Sequence, residues 1–79
     1  ELWQWSLNPG EMFTSPGRGE GTTELLFVTE GALTLTVNDG VYLIREGDSA
    51  VARTDAPHSY ANAGDKIARF TMTVSEKAR

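Results

Sequence analysis

Apolar and polar side chains alternate along this chain in short runs, and clusters of Gly, Pro, Asn and Asp punctuate the runs every eight to twelve residues or so. A period of two sends successive side chains to opposite faces of a strand. The pattern therefore predicts an all-β sandwich or barrel with no helix of ordinary length. Leu2 to Leu7 sets Trp3, Trp5 and Leu7 on one side and ends at Asn8-Pro9-Gly10; Met12 to Thr14 reads as a short second strand. Thr23 to Glu30 is the strongest strand, with Glu24, Leu26 and Val28 on one face and Leu25 and Phe27 on the other. Both faces are largely apolar, so one is expected to be interior and the other an interface. Past the Glu30-Gly31 turn, Leu33, Leu35 and Val37 alternate with Thr34 and Thr36, and Asn38-Asp39-Gly40 predicts a tight hairpin into Val41 to Ile44. Ser49 to Arg53 follows with Ala50 and Ala52 inward. A closing strand from Lys66 to Ser75 sets Ala68, Phe70, Met72 and Val74 against Arg69, Thr71 and Thr73, and the charged tail Glu76 to Arg79 is expected to fray.

With 79 residues and no linker or repeat, the chain is expected to form one domain over 1–79. A chain that short buries about 60–65% of its unfolded surface, so the core is thin and dimerisation would supplement it. The sequence has no cysteine, which excludes disulfides and thiolate metal sites and leaves the cytoplasm as the default location. A net charge of −4 is the wrong sign for gripping a phosphate backbone. No apolar run is long enough to span a membrane, and Glu1-Leu2-Trp3 lacks the order of a signal peptide. A strand beginning at once, without an initiator Met, suggests a fragment of a longer chain.

Chemistry concentrates in a few residues. His58 follows Pro57 on a strand entering the barrel, where its imidazole could contact a ligand, shuttle protons or bond neighbouring backbone or Glu24. One imidazole cannot build an open Zn²⁺, Fe²⁺ or Mn²⁺ site, which takes three or four protein ligands. Glu24 shares the inward parity of Leu26 and Val28, and its natural partners are His58 or Arg18; the plainer reading is a glutamate at the strand start facing water. Arg18 and Glu20 lie in the Gly-rich stretch Ser15 to Gly21, read as a pocket rim, where Arg18 suits a ligand carboxylate or phosphate. Trp3, Trp5, Phe27, Tyr42, Tyr60, Phe70 and Met72 are candidates for cavity wall or plain core. Ala50 and Ala52 leave room for a ligand or for packing from elsewhere. Gly17, Gly19 and Gly21 precede no helix or Lys-Ser/Thr pair, so they make no phosphate loop, and no serine has a nucleophile elbow around it.

These residues resemble the cupins, a family of small β-barrels. The family's first motif runs H-x-H, three or four residues, E, six residues, G, and Glu24 with Gly31 in GTTELLFVTEG matches its second half. Gly40, Gly47-Asp48, His58 and Asn62 match the second motif, with Glu46 where proline is frequent, so the resemblance covers Thr22 to Val74. It implies a cupin β-barrel, a jelly roll or double-stranded β-helix. In the family the two first-motif histidines, the glutamate and the second-motif histidine bind metal; here only Glu24 and His58 carry over. The absent histidines fall on Gly17 and Gly19 or on Arg18 and Glu20, so no cofactor is expected and a weak divalent-metal site, if any, would use Glu20, Glu24 and His58. The layout is most similar to the C-terminal sensor domains of bacterial XRE-type helix-turn-helix regulators. That likeness implies a small-molecule effector, a homodimer, and DNA contact only through an N-terminal helix-turn-helix outside this chain. The implied ligand-binding residues are Arg18 as anion clamp, Glu24 and His58 as polar anchors, Tyr60 and Met72 as wall, and Asn62 as a bridge near the mouth. The alternatives are a stand-alone metal-dependent cupin enzyme of dioxygenase or isomerase type, a degenerate metal-free relative, or a purely structural dimerisation barrel.

Overall fold

The structure, a computed structural model, describes residues 2–76; the expected fraying beyond Glu76 lies outside the described residues. Eight strands follow in order: β1 Leu2–Leu7, β2 Met12–Ser15, β3 Thr23–Glu30, β4 Ala32–Val37, β5 Gly40–Arg45, β6 Ser49–Arg53, β7 His58–Ala61 and β8 Ala68–Ser75. They form two four-stranded sheets in the orders β1-β8-β3-β6 and β2-β7-β4-β5, with every pairing antiparallel. Among the described residues there is no helix, hence none long and apolar enough to cross a membrane. The all-β jelly-roll expectation holds.

Period-two alternation builds the interior. Leu26 and Val28 of β3, Leu33 and Leu35 of β4, Ile44 of β5, Ala52 of β6, Tyr60 of β7 and Phe70, Met72 and Val74 of β8 meet between the sheets in one buried cluster. The register stacks them: Leu26 lies opposite Met72, Val28 opposite Phe70 and Leu35 opposite Tyr60. Turn chemistry sets the corners. Asn38 takes the left-handed conformation at φ 52° in the β4–β5 hairpin. Gly31 turns β3 into β4 at φ 75°, and a Cβ there would collide with the Ile67 carbonyl oxygen, so no larger residue fits.

Two details differ from the sequence-based expectation. The closing strand begins at Ala68 rather than Lys66, because the Asn62 side chain captures the Lys66 carbonyl and holds that segment in a loop. Trp3 has the expected parity but stays about half exposed at the open end of β1. The outer side of β3, expected to be an interface, carries Leu25 and Phe27 at the surface of the single chain.

Candidate functional site

Glu24 sits two residues before Leu26 on the inner face of β3, opposite Val74 of β8 and Ala52 of β6, and is only 2% exposed. A carboxylate buried among apolar side chains needs donors. One comes from the facing sheet: the Tyr60 hydroxyl of β7 donates to Glu24 Oε1. Tyr60 is itself buried, and burial first, then the bond to Glu24 and the carboxylate's charge, push its phenol far above the ordinary range, against a smaller opposing effect of Arg18. The phenol is thus a fixed donor. The second oxygen, Oε2, forms an ion pair with Arg18, 4.0 Å from its Nε.

Of the two expected partners of Glu24, Arg18 forms the ion pair and His58 does not bond it, while the hydrogen-bonded partner is Tyr60. His58 is held by its own loop: Nδ1–H donates to the Ala56 carbonyl at 2.8 Å. In the neutral ring that leaves Nε2 as an acceptor. The imidazole also sets its edge against Tyr60, 5.4 Å between ring centroids at 74°.

Arg18 is positioned by backbone. The loop after β2 is laced to the β6–β7 connection by Arg18 N–H to Thr54 O at 2.7 Å, Thr54 N–H to Thr22 O at 3.1 Å and Gly21 N–H to Asp55 Oδ2 at 2.8 Å. Arg53 donates to the same Asp55 oxygen at 2.7 Å. The Gly21 amide first, and then the Arg53 guanidinium, hold the Asp55 carboxyl below the usual carboxylate range. Gly17 is needed here because it has φ 122° and an added Cβ would press on the Asp55 and Ala56 backbone at 3.2–3.3 Å.

These elements enclose a cavity of about 100 Å³. Arg18, Glu24, His58, Tyr60 and Met72, all named from the sequence, line it together with Trp5, Phe13 and Ser15. Ser15 opens the stretch expected to form the rim, whereas the pattern does not single out Phe13, since a strand as short as Met12–Ser15 gives too few alternations to assign a face; Phe13 stacks against Tyr60 at 6.4 Å. Asn62 does not join them. Its Nδ2 donates to Leu7 O at 2.9 Å and Lys66 O at 2.7 Å, and its Oδ1 accepts from Gly64 N–H at 2.9 Å, so the side chain is consumed in bridging β1 to the β7–β8 loop. A larger concavity, about 730 Å³, opens between edge strands β5 and β6 over Leu35, Ile44, Ala50 and Ala52. The two inward alanines were its signal in the sequence.

The donors suit a metal ion poorly. Glu20 is exposed in the loop, Glu24 already serves Tyr60, and His58 offers one nitrogen; among the described residues no three His, Asp or Glu side chains are grouped to hold an ion. The residues present do not fit the metal centre that the family resemblance implies.

The family profile Cupin_2, cupin domain, matches residues 3–74. No curated protein matches the chain. Among solved structures, the Cupin_2 domain of an XRE family transcriptional regulator from Enterobacter cloacae superposes with a TM-score of 0.89 at 20% identity, over 99% of this chain and 81% of that one. An HTH_3 family transcriptional regulator from Vibrio cholerae gives 0.87 at 20% identity over 99% of this chain, which spans 43% of that one. A sugar phosphate isomerase of the cupin superfamily from Silicibacter pomeroyi gives 0.77 at 27% identity over 96% of this chain and 50% of that one.

Proposed function

The chain belongs to the cupin family, and from that premise we propose that it is the effector-sensing and dimerising domain of a bacterial transcriptional regulator. The observation that carries the reading is the buried Glu24 carboxylate, ion-paired with Arg18 through Oε2, inside a small cavity that also holds His58. A buried carboxylate in that state is a recognition element for a polar ligand, and the same donor set is too poor for the metal chemistry of cupin enzymes. The likeness to the Enterobacter and Vibrio regulators supports the regulatory setting. In the proposed parent protein, DNA contact belongs to a helix-turn-helix outside this chain, consistent with this domain's charge of −4, and the location is the cytoplasm.

The proposed dimer face is the outer surface of sheet β1-β8-β3-β6. The register places Leu2, Thr73, Leu25 and Val51 in one row across its four strands and Gln4, Thr71, Phe27 and Ser49 in the next. Leu2, Leu25, Phe27 and Val51 are 70, 47, 43 and 73% exposed, and none of the eight is charged. On an acidic chain, two uncharged rows that carry four exposed apolar side chains are where a second copy can approach without like-charge repulsion. An effector would act by favouring one dimer arrangement over another through its difference in affinity for the two.

Thermal melting of the wild type against a panel of small polar metabolites tests the sensor reading: a native-state binder raises the midpoint as RT ln(1 + [L]/Kd) requires. A shift lost in Glu24→Gln supports it, and no shift from any compound overturns it. The 27% identity to the isomerase favours one competing reading, a metal-dependent enzyme. Stoichiometric metal in gently purified protein, lost with His58→Ala, would establish that alternative.

A further inference from the structure

The cavity wall presents two opposite charges side by side, Arg18 Nε and Glu24 Oε2, 4.0 Å apart. A ligand carrying a single charge gains from one and is opposed by the other. A ligand carrying both charges on neighbouring atoms satisfies both.

The depths of the groups give such a ligand a direction. Oε2 of Glu24 and Nε2 of His58 are acceptors on buried residues, whereas the Arg18 side chain is 38% exposed. An ammonium, with three donors and no acceptor, matches the inner pair. A carboxylate nearer the mouth matches the guanidinium, which has donors enough for it beside its other contacts. The Tyr60 bond fixes Glu24 before any ligand arrives, so little ordering is spent on binding. Size limits the rest of the molecule: about 100 Å³ equals roughly three water volumes, and Trp5, Phe13 and Met72 provide an apolar wall for a short side chain only.

Resting on the reading that this cavity receives an effector, we propose that its ligand is a small zwitterionic α-amino acid, bound through its ammonium to Glu24 and His58 and through its carboxylate to Arg18. Peptides, which lack the adjacent carboxylate, and bulky amino acids are excluded by the same geometry.

Calorimetric titration of the whole chain with glycine, L-alanine, L-leucine, ethylamine, propionate and glycinamide tests the assignment. Glycine or L-alanine is expected to bind roughly tenfold or more tighter than ethylamine, propionate and glycinamide, each of which lacks one charge. L-Leucine should be weaker than L-alanine. Arg18→Gln and Glu24→Gln should each weaken L-alanine by a similar factor. The amide introduced by Glu24→Gln still accepts from Tyr60, and both variants are titrated well below their own melting midpoints, so that affinity is read on folded protein. Ethylamine or propionate binding as tightly as L-alanine overturns the proposal, as does L-alanine binding that survives both substitutions. If no amino acid binds but another class in the metabolite panel does, the proposal fails while the sensor reading stands. If nothing in the panel binds, both fail.

Discussion

Tyr60 of one sheet donates its hydroxyl to the Glu24 carboxylate of the other, across the interior of the sandwich. Both side chains are at most 2% exposed, so the bond replaces water that neither group can reach. Tyr60→Phe removes the donor and leaves Oε1 buried without one. The expected cost is about 1.5–3 kcal/mol, the range for a hydrogen bond to a charged group. Glu24→Gln in the same background should relieve part of that cost, because a neutral amide is less costly to bury than a carboxylate. Chemical denaturation of the wild type, both single variants and the double variant measures the coupling; additive effects would show that the two groups do not interact.

The same bond predicts a dependence on alkaline pH. In the unfolded chain Tyr60 loses its proton near pH 10, whereas in the native state burial and Glu24 hold the proton well above that. Above pH 10 the unfolded state therefore binds fewer protons than the native state. The stabilisation is complete below about pH 10 and falls as pH rises, by up to about 1.4 kcal/mol per pH unit. Denaturation midpoints of wild type and Tyr60→Phe, followed from pH 8 to 11 or so, should converge above pH 10. Parallel curves would contradict the assignment.

Strand positions were open to reading because alternation is a local signal: Thr23–Glu30 and Ser49–Arg53 run as the pattern predicts. Glu24 was legible for the same reason, since strand parity sends it inward, and His58 from its place after Pro57 on a strand entering the barrel. The Arg18 ion pair of Glu24 and the backbone bond of His58 were within the expectations, but the Tyr60 bond was not. Tyr60 lies 36 residues from Glu24, and only the facing of two sheets decides that its hydroxyl, two residues beyond His58, reaches the carboxylate first. The late start of β8 was hidden likewise, because it depends on Asn62 capturing Lys66 O.

Asn62 separates structure from recognition. Its side chain makes three hydrogen bonds, to Leu7, Lys66 and Gly64, and its backbone exchanges two more with Gly10 and Glu11. Asn62→Ala should destabilise the fold by about 2–4 kcal/mol through the buried groups left unpaired. Asn62 does not line the Glu24 cavity, so ligand affinity of the folded fraction should change little. Loss of affinity in folded Asn62→Ala protein, measured well below its melting midpoint, would return Asn62 to the site.

Asp55 holds the loop that carries Arg18. Its Oδ2 takes both the Gly21 amide and the Arg53 guanidinium, and the Arg18 amide bonds to Thr54 one residue earlier. Asp55→Ala removes the only side-chain tether of the loop to the β6–β7 connection among the described hydrogen bonds, while the Arg18–Thr54 backbone bond remains. Hydrogen exchange at the Gly21 amide should accelerate severalfold, with the sheet amides unaffected. Because the native Asp55 carboxyl titrates below its unfolded value of about 4, its contribution is complete above that pH and disappears as the pH falls further. Wild type and Asp55→Ala should therefore differ in melting midpoint at neutral pH and converge in acid. If Arg18 acts from this loop, L-alanine affinity should fall in Asp55→Ala although Asp55 touches no ligand; an unchanged affinity alongside faster exchange would show that Arg18 needs no such tether.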